Sequence, residues 1–166
     1  MSQKFNELAY CEIYSDLAKS WTDHYFFKTK KVVESNGDKT VTYAVFMRRP
    51  VLFAPKLLVD WLETVAAERD TQFEINLNYL EGQWVGAGEP LLYITGALSQ
   101  LVDLETVYLQ KLGACCVAAN NAFSMCVELP EVAFIAMDAR HCAGLEMADM
   151  MAYAASVGSK AAQAQV

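Results

Sequence analysis

Histidine is nearly missing from this chain: His24 and His141 are the only two. The five cysteines, Cys11, Cys115, Cys116, Cys126 and Cys142, form no Cys-x-x-Cys pair. Zinc sites are built from such pairs and from histidines, so a four-ligand site is not expected. An odd cysteine count argues equally against a disulfide framework. No apolar run reaches the roughly 18 residues that suggest a membrane span. The opening Met-Ser-Gln-Lys-Phe-Asn-Glu lacks the charged and apolar regions of a signal peptide, and a reduced, cytoplasmic setting is expected. Positive charge is also scarce, and unevenly so. Residues 1–83 hold ten Lys/Arg against twelve Asp/Glu, whereas residues 84–166 hold three (Lys111, Arg140 and Lys160) against eight. With a net charge of -7, neither nucleic acid nor a membrane surface is an expected partner. The second half is short of donors for a multiply charged phosphate substrate.

What the chain does have is apolar residues, 54% of 166, enough to bury a core and ordinarily one domain's length. Residues 7–19 read as a helix. Thr22-Asp23 offers an N-cap to a second helix carrying Tyr25, Phe26, Thr29 and Val33, which Asn36-Gly37 stops. Thr40–Met47 is β-branched and aromatic, hence a strand. After Ala54-Pro55 a helix carries Leu57, Leu58, Trp61, Leu62 and Val65 on one stripe. Phe73, Ile75, Leu77 and Tyr79 alternate with polar residues as a half-buried strand; Gln83–Val85 and Leu91–Thr95 are further strands. From Leu98 to about Leu129 helical spacing takes over. Its part from Ala114 to Met125 is small-residued on nearly every face, so it is expected to be buried on more than one side. Val132–Met137 has no alternation and reads as a strand buried on both faces, the mark of a parallel sheet. A last helix, roughly Ala143 to Ala155, is loosened at Ser156-Val157-Gly158.

Gly86-Ala87-Gly88-Glu89-Pro90 looks like a phosphate loop, but a β segment follows it where a helix is needed, and Glu89 repels phosphate; a tight turn is expected. Arg48 and Arg49 end a strand and read as solvated edge charge. Cys115, Cys116 and Cys126 read as small buried hydrophobes. Cys142 follows His141 directly, and sequence neighbours seldom form a catalytic Cys–His pair. Asp138-Ala139-Arg140-His141 falls at the C-terminal end of the apolar strand, where α/β folds bind ligands. Arg140 there meets either an anionic ligand or Asp138 in an internal ion pair. Capping explains Asp23 without any function, and Tyr25 reads equally as a core aromatic.

Taken in order, these residues resemble the nicotinate phosphoribosyltransferase family. Gly88-Glu89-Pro90-Leu91-Leu92 with Ile94-Thr95-Gly96 is similar to its G-x-E-P-L-L-x-I-x-G element, and Glu105-Thr106 with Leu109–Leu112 to its E-T-x-L-L-N helix. Thr22-Asp23-His24-Tyr25 is similar to T-D-x-Y, and Met137–Gly144 falls where the family has F-G-T-R-R-A-H-G. The resemblance covers nearly the whole chain. It implies an α/β fold: an α+β sandwich-type N-terminal domain over 1–97, a connecting buried helix region over 98–130, and over 131–166 the first βα unit of an α/β barrel. The implied reaction joins nicotinate to phosphoribosyl pyrophosphate with ATP hydrolysis, giving nicotinate mononucleotide in NAD biosynthesis, with ATP and Mg²⁺ serving the full reaction. Arg140 carries the strand-tip contact to substrate. Tyr25 stacks on the ring in a partner subunit's site, with Asp23 beside it. Asp138 and His141 replace the family's Gly and second Arg, and Ala143 replaces a family His. The first two changes lower positive charge near the substrate, which leaves nicotinamide or quinolinate open beside nicotinate.

A closed barrel takes about 250 residues. The later strands, with their pyrophosphate loops, have no counterpart in this sequence. The chain alone is thus expected to bind no cofactor and to be inactive. Its expected companion is a second copy or a complementary C-terminal chain. Two other classes stand beside this reading. One is a self-contained, non-enzymatic α+β module that binds a ligand or partner. The other is an enzyme acting on a thioester, its sheet wrapped around the long apolar helix. Pairing of Val132–Met137 discriminates them: within the first sheet for a self-contained chain, apart for a barrel fragment.

Overall fold

A computed structural model describes Ser20 and residues 22–164. The helix expected over residues 7–19 lies outside them. Helix α1, His24–Asn36, ends at Gly37, whose φ of +93° is a backbone state that only glycine adopts without strain. Strand β1, Thr40–Phe46, pairs antiparallel with β5, Pro90–Ala97, from Thr40↔Ala97 to Phe46↔Pro90 with a bulge after Val45. Strand β3, Glu74–Leu77, pairs on the other side of β5, so the sheet order is β1-β5-β3. Strands β2, Val51–Leu52, and β4, Trp84–Val85, form a separate two-stranded sheet. The central strand β5 supplies Leu91, Leu92 and Ile94 to the core, all fully buried.

Helix α2, Lys56–Glu68, starts after Pro55 and buries Leu58, Trp61, Leu62 and Val65, the stripe that its spacing dictates. Gly86–Glu89 is a turn closed by the Glu89 N–H on the Gly86 carbonyl, and strand β5 follows it; no helix N-terminus is there to hold a phosphate. The expected helix from Leu98 to Leu129 is two pieces. Short helix α3, Leu98–Leu101, is pinned at its start by Asp38, whose carboxylate accepts from the Ser99 N–H and hydroxyl. Long helix α4, Glu105–Glu128, runs unbroken through Gly113 and buries Tyr108, Leu112, Cys115, Cys116, Ala119 and Ala122. Burial pushes the Cys115 thiol up to about 12 and the Cys116 thiol up to about 11, which fits inert core packing.

Helix α5, Leu145–Gln163, passes straight through Ser156-Val157-Gly158, where a loosened end is expected from sequence. Gly158 is not a break but a contact. A Cβ placed there would lie 2.2 Å from the Ala119 carbonyl oxygen and 2.9 Å from the Ala122 Cβ. Lys111 of α4 pairs with Glu146 at the start of α5, and Ala119–Phe123 meet Gly158 further along, so the two helices run parallel. Tyr153 locks α5 to the sandwich: its hydroxyl donates to Glu81 Oε2 at 2.6 Å and accepts from the Lys56 N–H at 3.0 Å. Tyr153→Phe removes both bonds and leaves the backbone donor dependent on water. It is expected to lower unfolding free energy by about 1 kcal/mol in a urea titration.

Val132–Met137 corrects the sequence reading. These residues form no strand and are not buried: Val132 is 62% exposed, Ile135 74% and Met137 62%. The physical reason is the lack of a neighbour. A strand exists only by ladder bonds to another strand, and among the described residues none pairs with this segment. Its course is nevertheless that of a crossover. The chain leaves α4 at Glu128 and re-enters α5 level with Lys111, a return of about 26 Å at the helical rise, so it runs antiparallel to two parallel helices.

Candidate functional site

The residues picked out by sequence fall on two corners. Asp23 sits at the N-cap position of α1, but its side chain makes no capping bond. It turns instead to the start of α4: the Asp23 N–H donates to Thr106 Oγ1 at 3.3 Å, and the Thr106 hydroxyl donates back to Asp23 Oδ2 at 3.4 Å. The capping explanation therefore fails for its side chain. Tyr25 stands in the first turn of α1. It is 57% exposed, with its ring centroid 4.1 Å from that of Phe26, so it is not a core aromatic. Its phenol is held above its ordinary value by partial desolvation and by the Glu105 and Asp23 carboxylates.

Asp138, Arg140 and His141 sit together in and beside a single 3-10 turn, Ala139–His141, at the end of the exposed crossover. Arg140 and His141 are exposed and Asp138 half-buried. Among the described residues no ion pair joins Asp138 to Arg140, so the internal-pair explanation does not hold. The His141 N–H bonds the Asp138 carbonyl at 2.8 Å, and the Cys142 thiol donates to the same oxygen at 3.2 Å, which fixes the turn. Arg140 is thus presented to solvent as a free guanidinium. Among the described residues no hydrogen bond or ion pair links this turn to Asp23 or Tyr25.

The sequence reading missed a cleft of about 260 Å³ between α2 and the start of α5, walled by Leu57, Trp61, Val65 and Met150. Lys111 lies 5.7 Å from the centre of the Trp61 ring, and among the described residues the buried Trp61 indole N–H has no acceptor. No metal-ligating group of three or more His, Cys, Asp or Glu forms among the described residues. No helix among them is long and apolar enough to cross a membrane.

This arrangement of open sheets under two parallel helices is the fold of the N-terminal domain of nicotinate-nucleotide pyrophosphorylases. The similar solved structures include nicotinate-nucleotide pyrophosphorylase from Pyrococcus furiosus, with a TM-score of 0.71 at 22% identity, covering 96% of this chain and 40% of that one. NadC from Streptococcus pyogenes superposes with a TM-score of 0.66 at 14% identity, over 95% of this chain and 54% of that one. The Ehrlichia chaffeensis nicotinate-nucleotide pyrophosphorylase gives 0.63 at 16%, over 96% and 54%. The chain therefore spans between two fifths and about half of the structures it matches, and at these identities what is shared is the fold. No family model and no curated protein matches the sequence. The structural neighbours bear the name of a related enzyme, not that of the nicotinate phosphoribosyltransferase family indicated by the motifs.

Proposed function

We propose that this chain is the N-terminal part of a phosphoribosyltransferase of NAD biosynthesis, with nicotinate as the pyridine substrate indicated by its motifs. The observation that carries the reading is the unpaired crossover. An apolar run, Val132–Met137, lies antiparallel to two parallel helices and ends on a free Arg140, which is the layout of the first strand of an α/β barrel with its ligand-facing tip. The same observation weighs against a self-contained module, which would pair this run within its own sheet. In this reading residues 1–97 are the sandwich, 98–130 the connecting helices and 131–166 the opening βα unit.

Arg140 is assigned to an anionic group of the substrate, with Asp138 and His141 flanking it, and Asp23 with Tyr25 to a pyridine ring in an adjoining subunit. The remaining barrel units come from elsewhere: a continuation of this polypeptide, a complementary chain, or a second copy completing a shared site. Mg²⁺ and ATP, which the family reaction implies, find no fitting donor set here. The described residues bring no three metal ligands together, and the half that carries Arg140 has three cations in all.

Purified chain given nicotinate, phosphoribosyl pyrophosphate, ATP and Mg²⁺ is expected to form no nicotinate mononucleotide. Co-expressed with the reading frame that encodes further βα units, it is expected to turn over. In that pair Arg140→Ala should lower kcat/KM at least tenfold, and amide exchange over 132–137 should slow markedly. Turnover by the chain alone, or unchanged exchange in an active pair, would refute the proposal.

A further inference from the structure

Helices α2 and α5 turn matched faces to the cleft between them. On α2 Leu57, Trp61 and Val65 recur every fourth residue, with Asp60, Thr64 and Glu68 beside them at the same interval. On α5 Glu146, Asp149 and Met150 share one face. The cleft therefore has apolar walls and an acidic rim. Its volume of about 260 Å³ falls just under the ~300 Å³ at which sites for drug-sized ligands begin, so it suits a small molecule.

Two of the four rim carboxylates are balanced: Asp60 pairs with Lys56, and Glu146 with Lys111. Among the described residues no hydrogen bond or ion pair engages the side chains of Glu68 and Asp149. Lys111, 14% exposed, holds its ammonium over the Trp61 ring, 5.7 Å from its centre. The cleft thus already accommodates one alkylammonium between an indole face and a carboxylate, and two negative charges remain for another.

Trp61 supplies an independent observation. It is 6% exposed, and its indole N–H, out of reach of water, has no acceptor among the described residues. A donor carried into the wall of a cleft and left unpaired costs free energy unless an acceptor arrives with the molecule that fills the cleft.

We propose that the cleft between α2 and α5 binds a small arylalkylamine that carries a hydrogen-bond acceptor on its ring. The ring lies against Leu57, Trp61, Val65 and Met150, the acceptor takes the Trp61 N–H, and Glu68 and Asp149 balance the ammonium. The site uses neither Arg140 nor Tyr25 and does not rest on the phosphoribosyl transfer reading.

Titration of the purified chain at constant ionic strength with three compounds tests the proposal: tyramine, its neutral counterpart tyrosol, and phenethylamine, which lacks the ring hydroxyl. By calorimetry tyramine is expected to bind saturably, at least tenfold more tightly than tyrosol and severalfold more tightly than phenethylamine. The chain has three tryptophans, Trp21, Trp61 and Trp84, and so three indole N–H signals in heteronuclear NMR spectra. The Trp61 signal, assigned by its absence from Trp61→Phe, is expected to move downfield with tyramine. Glu68→Gln combined with Asp149→Asn, both at exposed positions, should weaken tyramine tenfold with an unchanged thermal melt. No saturable binding of tyramine, binding no tighter than that of either comparison compound, a stationary Trp61 signal, or an unaltered affinity in the double variant would overturn the proposal. These outcomes are read without phosphoribosyl pyrophosphate, so they stand apart from any result on turnover.

Discussion

Replacing Gly158 by leucine is expected to cost at least about 3 kcal/mol and to separate α5 from α4, because overpacking at a close helix contact cannot relax through a side chain. The Cβ of any other residue would lie 2.2 Å from the Ala119 carbonyl oxygen, 2.8 Å from the Phe123 nitrogen and 2.9 Å from the Ala122 Cβ. Two of these three are backbone atoms inside a helix and cannot rotate away. Even Gly158→Ala should destabilise, by about 2 kcal/mol, although glycine-to-alanine inside an open helix gains about 1 kcal/mol. Gly113, on α4, supplies the contrast within the same helix pair. Its added Cβ would meet only the flexible end of Met47, at 4.0 Å, so Gly113→Ala should stabilise by about 1 kcal/mol. Urea midpoints of the two alanine variants are therefore expected to move in opposite directions. A stabilised Gly158→Ala would show that the helices are not held at this distance.

The sequence reading takes Gly158 for a loosening of the helix because glycine's local preference is all that a single sequence displays. Its partner surface, Ala119 to Phe123, lies some 35 residues away and is itself only a run of small residues. Where burial repeats with the period of the element, the reading succeeds. The stripe Leu58, Trp61, Leu62 and Val65 on α2 is found buried, and Val41, Tyr43 and Val45 face inward on β1. Val132–Met137 fails for a different reason. A continuous apolar run states a need for cover, not who supplies it, and here no strand of the described residues lies alongside. The candidate site divides in the same way. Arg140 stands out in the sequence by the scarcity of cations in its half, and the structure places it exposed in a 3-10 turn after a segment that forms no strand. The cleft beside Trp61 was not legible, since its walls, Leu57, Trp61 and Val65 on α2 and Met150 on α5, lie far apart in the chain and look like ordinary core residues.

Asp103 was equally invisible, and its loss is expected to have the second large effect. It lies in the turn between α3 and α4, 5% exposed. Arg69, just past α2, grips it with two bonds, Nη1 to Oδ1 at 2.8 Å and Nη2 to Oδ2 at 3.1 Å, and also donates to the Gln100 carbonyl at 2.7 Å. Lys30 of α1 reaches Oδ2 at 2.9 Å, and the buried Thr22 hydroxyl donates to the Asp103 carbonyl at 2.8 Å. One carboxylate thus ties three helices at the corner where α1 meets α4. Asp103→Asn keeps the shape but leaves two half-buried cations facing a neutral amide, and breaking a buried pair in this way costs about 3–5 kcal/mol. Burial pushes the Asp103 carboxyl up, but hydrogen bonds from Arg69 and Lys30, with their charges, outweigh it and hold the group below its ordinary value. A carboxyl whose folded pKa is depressed contributes stability that is fully present above its unfolded value, near 4, and is lost as pH falls through the lower folded value. The stability gap between wild type and Asp103→Asn, measured by urea unfolding, is therefore expected to be constant from pH 7 to about 5 and to narrow below about 4. A gap that stayed the same at pH 3 would mean that the variant is destabilised by altered packing and that the charge at this corner holds nothing in place.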